Sequence, residues 1–262
     1  ALSFPEVGGI YLPPWLYQEG KERVLSAGKE VYLSLPPVLR KTPDGLGAFL
    51  EKELQEGLTG VLAGNIEGYA LLERLGFSSR CVLDHSLYTW NEESVSFFLK
   101  KGVLRMTAPY ELNAGELIHR GGALDTHLEM PVYGYLPLMV SAQCVRGNTQ
   151  GCDKSFSRAT LTDEEGRRFV SSCFCDPLSN LVKEKVPCYN VLYNCLPYSL
   201  LYEKEKVLSL SPEALRLSFT LESPREAEGI MRRFVAAYVR GEAITQGTGE
   251  VFTKGHFARG VK

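Results

Sequence analysis

The stretch VYLSLPPVLRKTPDGLGAFLEKELQEGLTGVLAGNIEGYALLERL, residues 31–75, decides how the first half of this chain folds. Val31 to Pro36 is a short apolar, β-rich run closed by prolines, which cannot donate to a sheet ladder. Leu46 to Glu56 then repeats apolar residues three and four apart, the period of one helix face. Gly60 to Asn65 returns to a strand-like run, and Glu67 to Leu75 repeats the helical period. Strand and helix alternating in this way is the pattern of βα units, and the right-handed crossover rule makes their consecutive strands parallel.

Outward from this stretch the alternation continues. Ile10 to Pro13 precedes it, and Cys81 to Ser86, Leu104 to Pro109 and Leu128 to Gly134 follow, with a helix over Glu92 to Lys101. The expected fold is an α/β, TIM-barrel-like arrangement of six βα units. A closed barrel needs eight, so either two units precede Ala1 in a longer parent or the barrel is open and incomplete. The chain starts at Ala1 without a Met and enters its first strand almost at once, as a piece of a longer protein would. Chemistry in such folds sits at the carboxyl ends of the strands, which makes Asn65, Asp84, His85, Glu111 and Tyr133 candidates by position.

Composition bounds the function classes. At 262 residues, 44% hydrophobic and 23% charged, the chain has enough apolar residues for one large core. Its longest apolar runs, such as Leu136 to Val140, fall far short of the roughly 20 residues of a spanning helix, and no basic-then-apolar leader opens it. A cytoplasmic protein with no membrane contact is expected. A net charge of −2 offers polyanions no global attraction, so a nucleic-acid partner would need a local basic patch.

From Ser141 to about Tyr198 the alternation stops among Gly, Asn, Ser and Asp, and the expected division is residues 1–140, 141–200 and 201–262. In the last part Leu215, Leu217, Phe219 and Leu221 alternate as a half-buried strand, and Ser223-Pro224-Arg225-Glu226 reads as an N-cap, a first-turn Pro and a capping-box acid. This strand–helix pair is expected to pack on the barrel.

Six of the seven cysteines, Cys144, Cys152, Cys173, Cys175, Cys188 and Cys195, fall inside the middle segment. Buried thiols acting as small hydrophobes are one reading, and disulfides a second, disfavoured in a cytosolic chain. A metal site is the third. Four thiolates suit tetrahedral zinc or a [4Fe–4S] cluster, and spacing alone does not separate them, although the Cys-x₂-Cys pairs of zinc knuckles are absent.

The run Glu129-Met-Pro-Val-Tyr-Gly-Tyr-Leu-Pro-Leu-Met-Val-Ser-Ala-Gln-Cys144 resembles the signature of the peptidase U32 family, in which a Glu, a His-Gly or Tyr-Gly pair and a Cys follow a barrel strand. The stretches Leu161 to Phe169, Cys188 to Leu200, Phe252 to Val261 and Asp84-His-Ser-Leu-Tyr-Thr-Trp-Asn91 resemble the family too, so the likeness extends over most of the chain. What the resemblance implies is a barrel bearing a [4Fe–4S] cluster on four cysteines. Carried over position by position these are Cys144, Cys152, Cys173 with Cys175 as the alternate, and Cys188; zinc is the alternative metal. Cys195 and Cys81 are left as packing residues. Some family members are described as collagenase-like proteases, whereas others support hydroxylation of RNA bases or of a quinone precursor.

The acid–base candidates for such chemistry are Glu129, Tyr133, Asp84 and His85, each set against the commoner role of a strand-end carboxylate in capping a helix or pairing with Arg. His119, His127 and His256 carry less weight. No Gly-x-Ser-x-Gly or His-Glu-x-x-His motif supplies a hydrolytic centre. The expected function is therefore redox modification of RNA, rRNA or tRNA, with peptide hydrolysis as one alternative and a non-catalytic docking domain with a structural metal as another. An RNA contact would use Arg146, Lys154, Arg158, Arg167 and Arg168 with Lys254, Arg259 and Lys262 of the tail.

Overall fold

Prolines set where the early strands stop in the computed structural model, which describes residues 1–120, 127–149 and 151–260. The strands are β1 (Gly9–Leu12), β2 (Glu30–Ser34), β3 (Gly60–Ala63), β4 (Cys81–Leu83), β5 (Arg105–Thr107) and β6 (Leu128–Gly134). β1, β2 and β5 end just before Pro13, Pro36 and Pro109. Helices α2 (Leu46–Gln55), α3 (Ile66–Arg74) and α4 (Glu92–Lys100) lie within a residue or so of the expected spans. Two helices were not legible as periodic runs: α1 (Pro14–Ser26), which buries Tyr17, Lys21 and Val24 among many polar residues, and α5 (Ala114–Arg120), barely two turns long.

The chain divides into two compact units. One comprises Gly9–Phe77 and Leu136–Cys195; the other comprises Ala1–Gly8, Ser78–Tyr135 and the chain from Leu196 onward. In the first, β1, β2 and β3 pair in parallel register, and Val31, Leu33, Leu46, Leu50, Val61 and Leu72 form a dry core. A buried ionic triad sits among them: Glu53 accepts from Lys21 Nζ at 2.7 Å and from the Tyr17 hydroxyl at 2.6 Å. Residues 141–200, expected to be irregular, carry regular strands over about a third of their length. β7 (Pro137–Ser141), β8 (Ser157–Thr162), β9 (Arg168–Phe174) and β10 (Tyr189–Tyr193) form an antiparallel sheet in the order β7-β10-β9-β8. One face carries an aromatic stack in which Phe174 lies against Trp15 and Tyr189.

In the second unit β4, β5 and β6 pair in parallel. The sixth strand has no helix of its own, which corrects the expectation of a sixth complete βα unit: Gly134 is followed by Tyr135, Leu136 and then β7. Its neighbours besides β5 come from the far end of the chain, β12 (Ala214–Ser218) in parallel and the short β11 (Tyr198–Ser199) antiparallel. Gly134 makes the β12 contact possible, because a Cβ there would stand 2.9 Å from the Ser218 carbonyl oxygen. Helix α7 (Pro224–Phe234) starts as read: Ser223 Oγ accepts from Glu226 N–H, Glu226 reaches back to Ser223 N–H, and Pro224 stands in the first turn. The helix ends in a π-helical turn at Val235–Val239 that the 3.6-residue pattern did not show. No helix among the described residues is long and apolar enough to cross a membrane.

Candidate metal centre

β7 delivers the chain to the first thiol. After Ser141, whose hydroxyl accepts from Gln143 N–H at 3.0 Å, the chain turns through Cys144 into the single-turn helix α6 (Val145–Thr149). Gly147 N–H donates to Cys144 Sγ at 3.2 Å. A side chain at that position would crowd the thiol, since a Cβ would lie 3.2 Å from Cys144 Cβ and 3.4 Å from its Sγ. Cys152 lies on the turn that follows, its Sγ accepting from Lys154 N–H at 3.3 Å, with Arg146 and Asp153 paired at 2.8 Å beside it. Cys173 stands near the end of β9 and Cys175 just past it, while Cys188 is the residue before β10. The register that sets Tyr189 opposite Phe174 and Asn190 opposite Cys173 brings the ends of these two strands together.

Five sulfurs therefore meet in file. Cys144 and Cys173 are 3.6 Å apart, as are Cys173 and Cys175. Cys152 hydrogen-bonds to Cys144, and Cys188 to Cys175. Their acidities diverge along the file. The Gly147 N–H, aided by the neighbouring thiols, holds Cys144 below the usual thiol value, whereas burial pushes Cys173 up to about 11 and raises Cys175 further. Cys144 is thus more ready to ionise than Cys173 or Cys175. Cys195 lies outside the file, with its N–H and Sγ both directed to Asn194 Oδ1, and Cys81 is buried inside β4 with its thiol pushed up to about 12 by burial alone.

The donor set suits a thiophilic metal: soft ligands, one already stabilised as thiolate, drawn from distant points of the sequence. Sulfurs in file do not yet form a cage, however, and no group of three or more His, Cys, Asp or Glu side chains among the described residues is arranged as one. Pairs at 3.6 Å lie close to the separation of about 3.8 Å that tetrahedral bonds of about 2.3 Å give two thiolates on one zinc. A cubane sets its four sulfurs wider, because each binds a different iron.

The acid–base candidates fall in the other unit, in a dense ionic cluster. Glu129 is 1% exposed and lies between two guanidinium groups, Arg105 Nη1 at 3.3 Å and Arg216 Nη1 at 3.2 Å, with the Thr107 hydroxyl donating at 3.3 Å. Asp84 accepts from Arg216 Nη2 at 2.7 Å and from His85 at both its backbone N–H and Nδ1. Burial raises the Asp84 carboxyl, but Arg216 and His85 outweigh it and hold it well below the usual carboxylate range. Tyr110, hydrogen-bonded with Arg216, is pushed up to about 12 by burial. Arg105 continues the cluster to Glu213 at 3.2 Å, which His127 meets at 3.3 Å. Tyr133 is not part of it: it packs against Phe219 and Phe234 and hydrogen-bonds to Glu222, and burial raises its hydroxyl.

Asn65 and Asp84 therefore take the capping and pairing roles that strand-end polar groups commonly have, Asn65 accepting from Gly68 N–H at 2.8 Å as the N-cap of α3. Arg105 and Arg216 went unread. Arg216 sits between Leu215 and Leu217, in the slot that an alternating pattern gives to solvent, yet it is the most buried residue of β12. Comparison with protein-family models, with curated proteins and with solved structures finds no match to this chain.

Proposed function

We propose that this chain is a peptidase U32-type protein on a partial, TIM-barrel-like scaffold, holding an iron–sulfur cluster on Cys144, Cys152, Cys173 and Cys188, and that it assists redox hydroxylation of RNA. The observation that carries the reading is the file of thiols: residues spread over 144–188 meet only because β7, β9 and β10 bring them together. A thiolate-held cluster would supply single-electron chemistry. Around it this chain's residues do defined work. Gly147 N–H stabilises the Cys144 thiolate, and the β9–β10 register holds Cys173 and Cys188 in place. Hydrolysis finds less support. A cysteine nucleophile needs a base within hydrogen-bond reach, and the hydrogen bonds of Cys173 and Cys175 are with other thiols.

One observation favours a second reading, a single structural zinc in a docking domain: the 3.6 Å sulfur pairs match one tetrahedral ion. Anaerobic purification followed by reconstitution with iron and sulfide separates the two. About four irons and four sulfides per chain, with a visible band bleached by dithionite, support the cluster. Stoichiometric zinc without sulfide removes it. Modified nucleosides in a gene-deletion strain, measured by mass spectrometry beside a gelatin-cleavage assay with a Cys144→Ala control, test the reaction. Unchanged nucleosides together with cleavage that survives Cys144→Ala would make the peptidase label literal.

A further inference from the structure

Asn190 is 3% exposed, and its Nδ2 is committed to the Gln143 carbonyl at 2.7 Å, while its Oδ1 has no hydrogen-bond partner among the described residues. Buried acceptors in folded proteins are met by a donor as a strong rule. This one lines a cavity of about 90 Å³ lying within a single compact unit, between α6 and the face of the β7-β10-β9-β8 sheet that also carries Cys173. Ser141, Gln143, Asn148 and Ser171 line it beside Asn190, and Met139, Val145, Leu161 and Leu192 give it an apolar side.

We propose that this cavity binds a small neutral molecule with one hydrogen-bond donor and a short apolar body, of the size of a primary amide or an alcohol, its donor directed at Asn190 Oδ1. Three features select that class. The volume is about three times the roughly 30 Å³ that a water occupies in the liquid, so one water leaves most of it empty. A cluster of waters would set part of its surface against Met139, Val145, Leu161 and Leu192, which offer no hydrogen-bond partner, whereas a short apolar body fits there. The offered group is an uncharged acceptor, which gives an anion nothing to bind and a cation too little to offset its lost hydration. The inference does not depend on which metal, if any, the thiols hold.

The probe is acetamide, with acetone as the isostere that lacks the N–H donor, followed by saturation-transfer NMR on the whole purified chain. Saturable transfer to acetamide in the millimolar range, at least tenfold weaker for acetone, is the expected result. Asn190→Leu removes the acceptor and should abolish that preference. Leu161→Trp fills the cavity from the partly exposed strand β8, leaves the Asn190–Gln143 bond in place and should block both probes, so a folding defect in the first variant does not decide the matter. Absence of transfer to acetamide, equal transfer to acetone, or acetamide binding unchanged in the Leu161→Trp protein overturns the proposal and leaves the cavity to water.

Discussion

The ionic cluster around the buried Glu129 and the thiol file that runs from the buried Cys173 out to the exposed Cys152 are both polar centres, and they are built in opposite ways. In the first, each carboxylate meets a guanidinium: Glu129 has two, Asp84 has one and a histidine besides. The desolvation of these charges is offset inside the protein itself, so the cluster is complete as it stands. In the second, thiol faces thiol, and burial pushes Cys173 and Cys175 away from the charged form that a metal would need. Neutral thiols can stay buried at little cost, and the backbone N–H groups of Gly147 and Lys154 are the donors set against the file, at Cys144 and Cys152. A centre with its charges paired is complete as a structural element, whereas thiols facing thiols are soft donors close enough together to hold a metal site.

The largest expected effect tests the first half of that contrast. Arg216→Ala leaves Asp84 facing only His85 and Glu129 facing only Arg105, and breaking a buried pair in this way costs about 3–5 kcal/mol. Cys173→Ala in metal-free protein removes one buried sulfur and should cost about 1 kcal/mol. Urea unfolding of the two variants measures both. If Arg216→Ala shifts the midpoint no more than Cys173→Ala does, the ionic cluster is not the anchor described here.

The second half is tested by metal removal. Ligand deprotonation and site assembly couple metal binding to folding, so the Cys144–Cys188 segment should resist trypsin when loaded and be cut after chelation, with Lys154, Arg158 and Lys183 as exposed sites. The ionic cluster contains no such dependence, and cleavage within Ser78–Arg120 should be equal in both states. Protection that ignores the chelator would mean that the sheet β7-β10-β9-β8 is stable without metal.

How much of this was legible in the sequence follows from the range of the forces involved. The βα alternation and the Ser223 cap depend on neighbours within a turn or two, so the periods of Val31–Pro36 and Leu46–Glu56 and the Ser-Pro-Arg-Glu tetrad marked them. Two strands of the antiparallel sheet, β8 and β9, were hidden because they carry Ser, Thr, Arg and Cys at positions where a half-buried strand shows aliphatics. For the cysteines the spacing marked the segment and not the geometry. Which sulfurs touch depends on the β9–β10 register, and register is a long-range property. Arg216 was hidden for the same reason, since a charge becomes buried only when Asp84 and Glu129, more than eighty residues away in sequence, arrive to meet it.

A finer test separates Cys173 from Cys175. Five thiols stand where four ligands are needed, and the two differ in position: Cys173 lies within β9 and touches Cys144, while Cys175 lies beyond the strand and touches Cys188. With Cys173 as the ligand, Cys173→Ser loses most of the bound iron or zinc and Cys175→Ser keeps it, read by metal analysis after identical reconstitution. The reverse result moves the ligand to Cys175, and loss in both variants makes the second thiol necessary for assembly.

The smallest effect concerns acid. Asp84 has a folded-state pKa below its ordinary value, so its contribution is complete above about pH 4 and is lost as pH falls below that, when the unfolded chain takes up a proton that the folded chain resists. Glu250 behaves alike in a more open setting. Arg233 Nη1 lies 2.8 Å away and the Tyr202 hydroxyl donates to it, and Arg233 above all holds its carboxyl at about 2 rather than 4.5. Its stabilisation is therefore present above pH 4.5 and declines towards pH 2. Because Arg233 is 39% exposed and Glu250 24%, solvent screening keeps the net contribution to about 1 kcal/mol at most. Glu250→Gln should accordingly flatten the stability–pH curve only between pH 4.5 and 2, and leave the curve near neutrality lower by that small amount. A slope that is unchanged in that window would show that the Arg233–Glu250 pair persists in the unfolded chain or contributes nothing, whereas a change above pH 5 would place the responsible proton on some other group.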